Sequence, residues 1–597
     1  MEGGTRSPDA ASQFAVLPEK WDEDPLPQLR ALRVEIIHQR DFPTSASSDF
    51  MAAAYTVLVG LPAHVAPGER AEALIAMSRF YYLNGQNDRA IPISEAALEA
   101  ALASSQRNLE ARARMSLATT LRNECDYFRS LQEFARTLEL ARADGDGTLE
   151  AKALNNLGNW YAAVGLSAEA LETFERVAVY FESVGDRISA WMALDNAADV
   201  ALWSGDIQRG ITLSERAAEV WSDEATTTSE QLWVVQGMST YCKLLIQANR
   251  VAEAVACART ACTVAASSGS EKAKSVAALA HTVAAVAQGT KTTDALIAFV
   301  EHGRKAWPTA YGEELEVTIQ ALQRSGQFDT ALTYQRELLA LERERKFEAV
   351  RRGLGRASPL EAEGVERLAE LETAVDRVLS HLTGAAVTQA LRAGHDHARV
   401  FRVSRLAQLF AQSEKWSAEH VSAVALGGKL LDVGAMVLPD QLLSKTRSLS
   451  AGECKIVDEH AAFGAELLAR THLAMLVPCI PIVRFHHERW DGTGPNSLEG
   501  QGIPAAARLA TICDVFDALT HSRPWRPAMK LQSALISIES EAGSRFDPDL
   551  CKRFVRWATD TFREVSELDN CVADETRENS FVRAQRRILQ MAQTGVM

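Results

Sequence analysis

The sequence predicts an all-α chain whose N-terminal half is a solenoid of helical hairpins, on three observations. Small or turn-forming residues recur at Gly85, Cys125, Gly165 and Gly205, at equal intervals of 40 residues, and again less regularly at Asn249, Thr290 and Gly326. Five residues beyond these anchors sit Ala90, Ser130, Ala170, Gly210, Ala254, Ala295 and Ala331, each followed by Ile, Leu or Val. The stretches between anchors are rich in Ala, Leu and Glu, with apolar residues three and four apart, as in an amphipathic helix. A unit of this length buries its apolar face only by stacking on the next, so the period itself implies a continuous array.

Each anchor marks the turn between two helices. The small residue that follows lets antiparallel helices approach closely, and its apolar neighbour packs into the next unit. The array is assigned to residues 29–345, with the regular repeats from about 50 onward. Residues 1–28, rich in Gly, Ser, Pro and Asp, are expected to be disordered. A stacked array presents an extended concave surface, so a protein or peptide partner, or a small signal, is expected there. Tyr81, Tyr82, Trp160, Tyr161, Trp191 and Trp203 are candidates to line that surface, although aromatics at helical spacing are more often core.

A helical connector is assigned to 346–390. Gly353, Gly355, Ser358 and Pro359 interrupt its first part. Leu368, Leu371, Val375, Val378 and Leu382 then alternate by three and four residues, which gives either a short coiled-coil seam for a homodimer or a helix packed on its own domain. Residues 561–597 read as a helical tail that caps the bundle or mediates dimerisation.

Composition limits the function. Against 63 Lys and Arg stand 78 Asp and Glu, a formal charge of −15, which argues against binding DNA, RNA or an anionic membrane surface. The nine cysteines follow no disulfide or zinc spacing, as expected of reduced thiols. The apolar run 473–483 is too short to span a bilayer, no export signal is legible, and a cytoplasmic location is expected.

The chemistry-bearing residues lie in the C-terminal half. Asp432 stands in KLLDVGAMVLPD, His460 in VDEHAAFGAELL, His486 and His487 in RFHHERWDGTG, and Asp514 in ATICDVFDALT. Imidazoles and carboxylates drawn from several helices suit divalent iron or manganese. Paired ions of that kind polarise a phosphoryl group and stabilise attacking and leaving oxygens.

HHERWDGTG followed by DVFDALT, with FRVSRLAQLFA before and RPWRPAM after, resembles the HD-GYP family, and the N-terminal repeats resemble tetratricopeptide repeats. The first resemblance implies a helical-bundle, metal-dependent phosphodiesterase domain acting on cyclic di-GMP, here assigned to 391–560. It implies metal ligation by Asp432, His460, His486, His487 and Asp514, with His395 an additional candidate, a catalytic part for Asp432, and contact of Arg523 and Arg526 with substrate phosphates. Lys445 is taken as structural, Asp517 as a supporting acid, and His420 and His472 as solvent-facing.

The sequence also departs from the family. Leu431 stands at the histidine of the His-Asp pair, Ala435 at the following lysine, and Arg399 at an expected ligand on the first helix, so three of eight ligand positions are altered once His395 is counted among them. Pro495 and Asn496 follow WDGTG directly, without the tyrosine of the family signature. The expected function is therefore a cytoplasmic bacterial signalling protein. In it the repeats sense a partner and regulate a degenerate HD-GYP domain with weak or no cyclic di-GMP hydrolysis, acting by binding. The alternative is an active metal-dependent phosphohydrolase working with the surviving ligands.

Overall fold

The computed structural model describes residues 25–41, 47–61, 66–124, 126–220, 228–268, 270–306, 311–355, 365–438, 440–443, 450–471, 473–523 and 526–594. Among them every regular element is a helix, and β-pairing is confined to isolated bridges. Cys125, Pro359, Lys445, His472 and residues 1–24 fall outside this set.

The chain opens with α1 (Leu26–Asp41) and α2 (Ser47–Val59), so helix begins inside the segment expected to be disordered. Seven hairpins follow: α3 (Pro67–Leu83) with α4 (Asn87–Ser104), α5 (Arg107–Asn123) with α6 (Tyr127–Ala143), α7 (Gly147–Ala163) with α8 (Ser167–Val184), α9 (Arg187–Ser204) with α10 (Ile207–Val220), α11 (Thr228–Gln247) with α12 (Val251–Ser267), α13 (Glu271–Ala287) with α14 (Thr293–Ala306), and α15 (Tyr311–Arg324) with α16 (Phe328–Gly355).

The repeat anchors end the first helix of each hairpin. Gly85, Gly165, Gly205 and Gly326 take φ between 70° and 82°, a left-handed turn that costs glycine nothing. The next helix starts two residues later. In the sixth hairpin the turn residue is Gly289 (φ 79°), not Thr290, because the glycine adopts positive φ without strain. Ala295 is accordingly half-buried, whereas Ala90, Ala170 and Ala254 are fully enclosed. Asp126, Asp146 and Asp186 cap α6, α7 and α9 by accepting the backbone N–H three residues on.

Of the aromatic candidates for the concave face, Tyr81, Trp160 and Tyr161 are core, since their rings supply the area that fixes neighbouring helices together. Tyr82 and Trp191 do reach a concave cavity of about 710 Å³, together with Arg79, Lys152, Asn155 and Asp195. Trp203 is exposed at a separate surface pocket.

The connector α16 runs unbroken through Gly353 to Gly355, and α17 (Val365–Arg392) carries the chain into the second half. Of the apolar positions proposed for a coiled coil, Val378 and Leu382 are buried in a core shared with the repeats; the side chains of Leu368, Leu371 and Val375 are outside the described set. The bundle comprises α18 (Arg399–Ser413), α19 (Ala418–Lys429), the short α20 (Asp440–Leu443), α21 (Ala451–Arg470), the short α22 (Ile480–Phe485), α23 (Ala505–Thr520), α24 (Leu531–Ser540) and α25 (Pro548–Thr561). By length and composition Ala418–Val437 is apolar enough to cross a bilayer, which the sequence reading did not single out; here it is largely buried inside the bundle, as α19 and a 3-10 turn.

The tail forms α26 (Val565–Glu578) and α27 (Ser580–Thr594), and it joins the two halves. Phe581 is buried with its ring centroid 6.1 Å from Trp160 and 6.3 Å from Phe128, both in the repeats. A Cβ on Gly384 of α17 would stand 3.2 Å from the same ring. Arg587 pairs with Glu139 of α6, and the Arg392 guanidinium at the end of α17 donates to the Leu438 carbonyl at 2.8 Å. One apolar core therefore runs from the middle repeats through α17 and α27 into the bundle.

Candidate functional site

Five elements converge on the site. Asp432 ends the segment after α19, immediately before the 3-10 turn Val433–Val437. His460 lies on α21, His486 and His487 follow α22, Asp514 lies on α23, and Arg399 opens α18. Close backbone packing sets the spacing: a Cβ on Gly434 would stand 2.1 Å from the His460 carbonyl oxygen and 2.4 Å from the Gly464 nitrogen. Only glycine permits the Asp432 turn to sit this near α21.

His460, His486 and His487 each place a ring nitrogen within 4.8 Å of the others. The Nδ1–H of His460 donates to the Val457 carbonyl at 2.6 Å, and that of His486 donates to Val483 at 2.8 Å. A carbonyl only accepts, so both neutral rings carry their proton on Nδ1 and present a lone pair on Nε2. Those two Nε2 atoms are 3.3 Å apart, and Asp432 Oδ1 lies 3.3 Å from the first and 3.9 Å from the second. Three acceptors facing one another need a proton or a cation among them, and the outward hydrogen bonds orient the rings as metal ligands are oriented. This donor set fits a divalent ion.

Electrostatics at the histidines follow from burial and from Asp432. Burial lowers His487 well below the ordinary imidazole value, helped by His486 and His460, and burial likewise lowers His486. For His460 burial acts the same way but is outweighed by the hydrogen bond and charge of Asp432, which raise it. Burial alone would raise Asp432; the Arg399 guanidinium and the His460 and His486 imidazoles hold it well below the usual carboxylate range.

The other side of Asp432 does not fit an ion. Arg399 Nη2 donates to Asp432 Oδ2 at 3.0 Å and to Asp514 Oδ1 at 2.5 Å, while Nη1 donates to Asp517 Oδ2 at 3.3 Å. A buried guanidinium thus stands between the two carboxylates that a second cation would need. Burial opposes its charge, but the three carboxylates outweigh that and keep it protonated. Leu431 is buried among apolar side chains of α18 and α23, and Ala435 is buried against the 3-10 turn, with its carbonyl accepting from Arg392 at 3.4 Å.

His395 lies half-buried in the turn after α17, kept neutral by burial and by Arg399 and Arg523. It does not belong to the three-histidine group. His397, two residues on, is 3.2 Å from the Arg586 guanidinium of α27.

The two phosphate candidates separate. Arg523 is half-buried, its affinity for protons lowered first by burial and then by Arg399. Arg526 is bound by backbone pairing with Arg523 and donates its guanidinium to the Ala518 carbonyl at the end of α23, so it fastens a loop. His420 is exposed as expected, and its Nδ1 lies 2.7 Å from Ser417 at the start of α19.

Sequence reasoning missed the network behind Arg399. Arg402, one helical turn on, donates Nε to Asp517 Oδ1 at 2.5 Å and Nη1 to Asp396 at 3.0 Å, and His521 Nε2 approaches Asp569 of α26 at 3.3 Å. Two arginines three apart on one helix face, in a bundle whose α23 carries Asp514 and Asp517 on one face, were the available signal. The WDGTG loop is held by buried Glu488, which accepts from the Asn496 and Leu498 backbone nitrogens at 2.8 and 2.9 Å, so the segment without tyrosine is still an ordered turn.

Comparison with known proteins matches two segments of the chain. Residues 372–550 match the HD domain family and residues 109–178 the tetratricopeptide repeat. The cyclic di-GMP phosphodiesterase response regulator RpfG of Xanthomonas campestris pv. campestris is 34% identical over 194 residues, which cover 32% of this chain and 50% of that protein. A 3'3'-cGAMP-specific phosphodiesterase 2 of Vibrio cholerae is 30% identical over 190 residues, covering 32% and 36%. The chain thus spans between about a third and a half of the length of these relatives. A solved Rap protein complexed with Competence and Sporulation Factor aligns over 56% of this chain and 91% of its own, with 12% identity and a TM-score of 0.45. Residues 109–178 are thus similar to tetratricopeptide repeats and residues 372–550 to an HD domain, and relatives matching about a third of the chain include cyclic di-GMP phosphodiesterases.

Proposed function

We propose that the protein is a cytoplasmic bacterial regulator of cyclic-dinucleotide signalling that acts mainly by binding. In this reading the concave face of the repeats takes a protein or peptide partner, and the HD-GYP domain takes a cyclic dinucleotide, cyclic di-GMP first, with weak or no hydrolysis. The observation that carries the reading is the Arg399 guanidinium between Asp432 and Asp514. A fixed side-chain cation supplies charge but no coordination site for a substrate oxygen, so phosphate attraction outlasts turnover. Arg523 is the residue proposed to face the phosphate. A partner on the repeats would reach the site through α17 and α27, since both helices share a core with the repeats and end beside the site loop.

The test is anaerobic protein with added Fe²⁺ or Mn²⁺, assayed for cyclic di-GMP binding by calorimetry and for product by chromatography. Binding without chelator-sensitive product supports the regulator. Chelator-sensitive turnover at rates on the order of 1 s⁻¹, the lower end of ordinary enzyme turnover, would overturn it in favour of an active phosphohydrolase, the second reading, which the three-histidine cluster favours.

A further inference from the structure

We propose that the domain holds one divalent cation, bound by His460, His486, His487 and Asp432 Oδ1, and that Arg399 is a built-in replacement for the second. The inference rests on the reading of this domain as a centre for binding phosphodiesters and specifies its cation content.

The argument starts from the Asp432 carboxylate, whose two oxygens face different cations. Oδ1 points to the imidazole nitrogens of His460 and His486, and Oδ2 accepts from Arg399 Nη2. The carboxylate therefore faces a set of lone-pair donors on one side and a guanidinium on the other. On the first side the donors are lone pairs: two Nε2 atoms oriented by their Nδ1–H bonds to carbonyls, the adjacent His487 ring and one carboxylate oxygen. Mixed imidazole and carboxylate donors of this number suit a borderline divalent ion.

On the second side the Arg399 guanidinium already engages one oxygen of each carboxylate, Asp432, Asp514 and Asp517. Asp514 Oδ1 and Asp517 Oδ2 accept from the same guanidinium at 2.5 and 3.3 Å, and Asp517 Oδ1 accepts from Arg402. An ion entering there would displace a buried cation and leave it unpaired, a cost of several kcal/mol. Charge balance points the same way. The Arg399 charge already compensates Asp432, Asp514 and Asp517 on that side, so a second divalent ion would add positive charge beside a buried guanidinium.

The test uses Mn²⁺ alone as probe on the full chain, loaded anaerobically, desalted and counted by inductively coupled plasma mass spectrometry, with electron paramagnetic resonance to detect coupled ion pairs. One ion per chain and an uncoupled signal are expected. Zero or two ions in the unaltered protein overturn the proposal. His487→Ala is expected to weaken retention about 10- to 100-fold, the range seen when ligand shells are disturbed; unchanged retention also overturns it. Arg399→Gln is expected to admit a second ion and Arg399→Lys to keep the count at one. If Arg399→Gln does not fold, the count in the unaltered protein and the His487→Ala result decide. Hydrolysis is measured on the same samples. One ion with rapid turnover would sink the binding-only function and leave this inference standing, while two ions without turnover would do the reverse.

Discussion

Arg402 Nε lies 2.5 Å from Asp517 Oδ1, and both side chains are enclosed, at 2% and 0% exposure. Asp517 is the only carboxylate that pairs with both guanidinium groups, of Arg399 and of Arg402, among the described residues. It therefore fixes the guanidinium that stands in the site.

Asp517→Asn keeps the shape and removes the charge, leaving two buried arginines undercompensated. A loss of about 3–5 kcal/mol is expected, the usual cost of breaking a buried pair. Urea denaturation of the variant against the unaltered protein measures it, and a change below about 1 kcal/mol would contradict the assignment, being within the range of an exposed pair.

Phe581→Ala removes a ring packed on Trp160, Phe128 and Gly384. The expected cost is about 3–5 kcal/mol, the transfer and cavity terms together. Because the lost contacts join the tail to the repeats, limited proteolysis is expected to cut ahead of α27 faster than in the unaltered chain. Equal cleavage rates would show that the halves are held by other contacts.

Asp195 in the concave cavity offers a pH test. Burial, and then the charge of Asp199, raise its carboxyl to about 8. The unfolded value is about 3.9, so the fold favours the protonated form. Its contribution to stability is complete below about pH 4, declines as pH rises, and is gone above about pH 8, with a slope of at most about 1.4 kcal/mol per pH unit. Asp195→Asn has no such titration. Thermal melts at pH 5, 7 and 9 should show the variant gaining on the unaltered protein up to about pH 8 and holding level beyond; a constant difference would mean that Asp195 is already ionised.

The repeats were legible because a turn residue and a small packing residue recur in the chain at a fixed interval, and both requirements are local. Where locality failed, so did the reading. The repeat pattern around Ala295 points to Thr290, whereas the positive φ of the turn falls on Gly289. The aromatics Trp160 and Tyr161 were ambiguous because period alone does not say which helix face is outward. The convergence of His460, His486 and His487 was legible as motif, and Arg399 as a side chain that does not ligate a cation. What it does instead depends on Asp514 and Asp517, more than a hundred residues away, and on Asp432 in a turn. The partner of the tail was illegible for the same reason: Phe581 and Trp160 meet only after the whole bundle has been placed between them.

That separation also sets a timetable for synthesis. Trp160 leaves the ribosome roughly 400 residues before Phe581, a delay on the order of 20 to 80 s at typical elongation rates. Through that interval the middle repeats lack the helix whose Phe581 ring packs on Phe128 and Trp160.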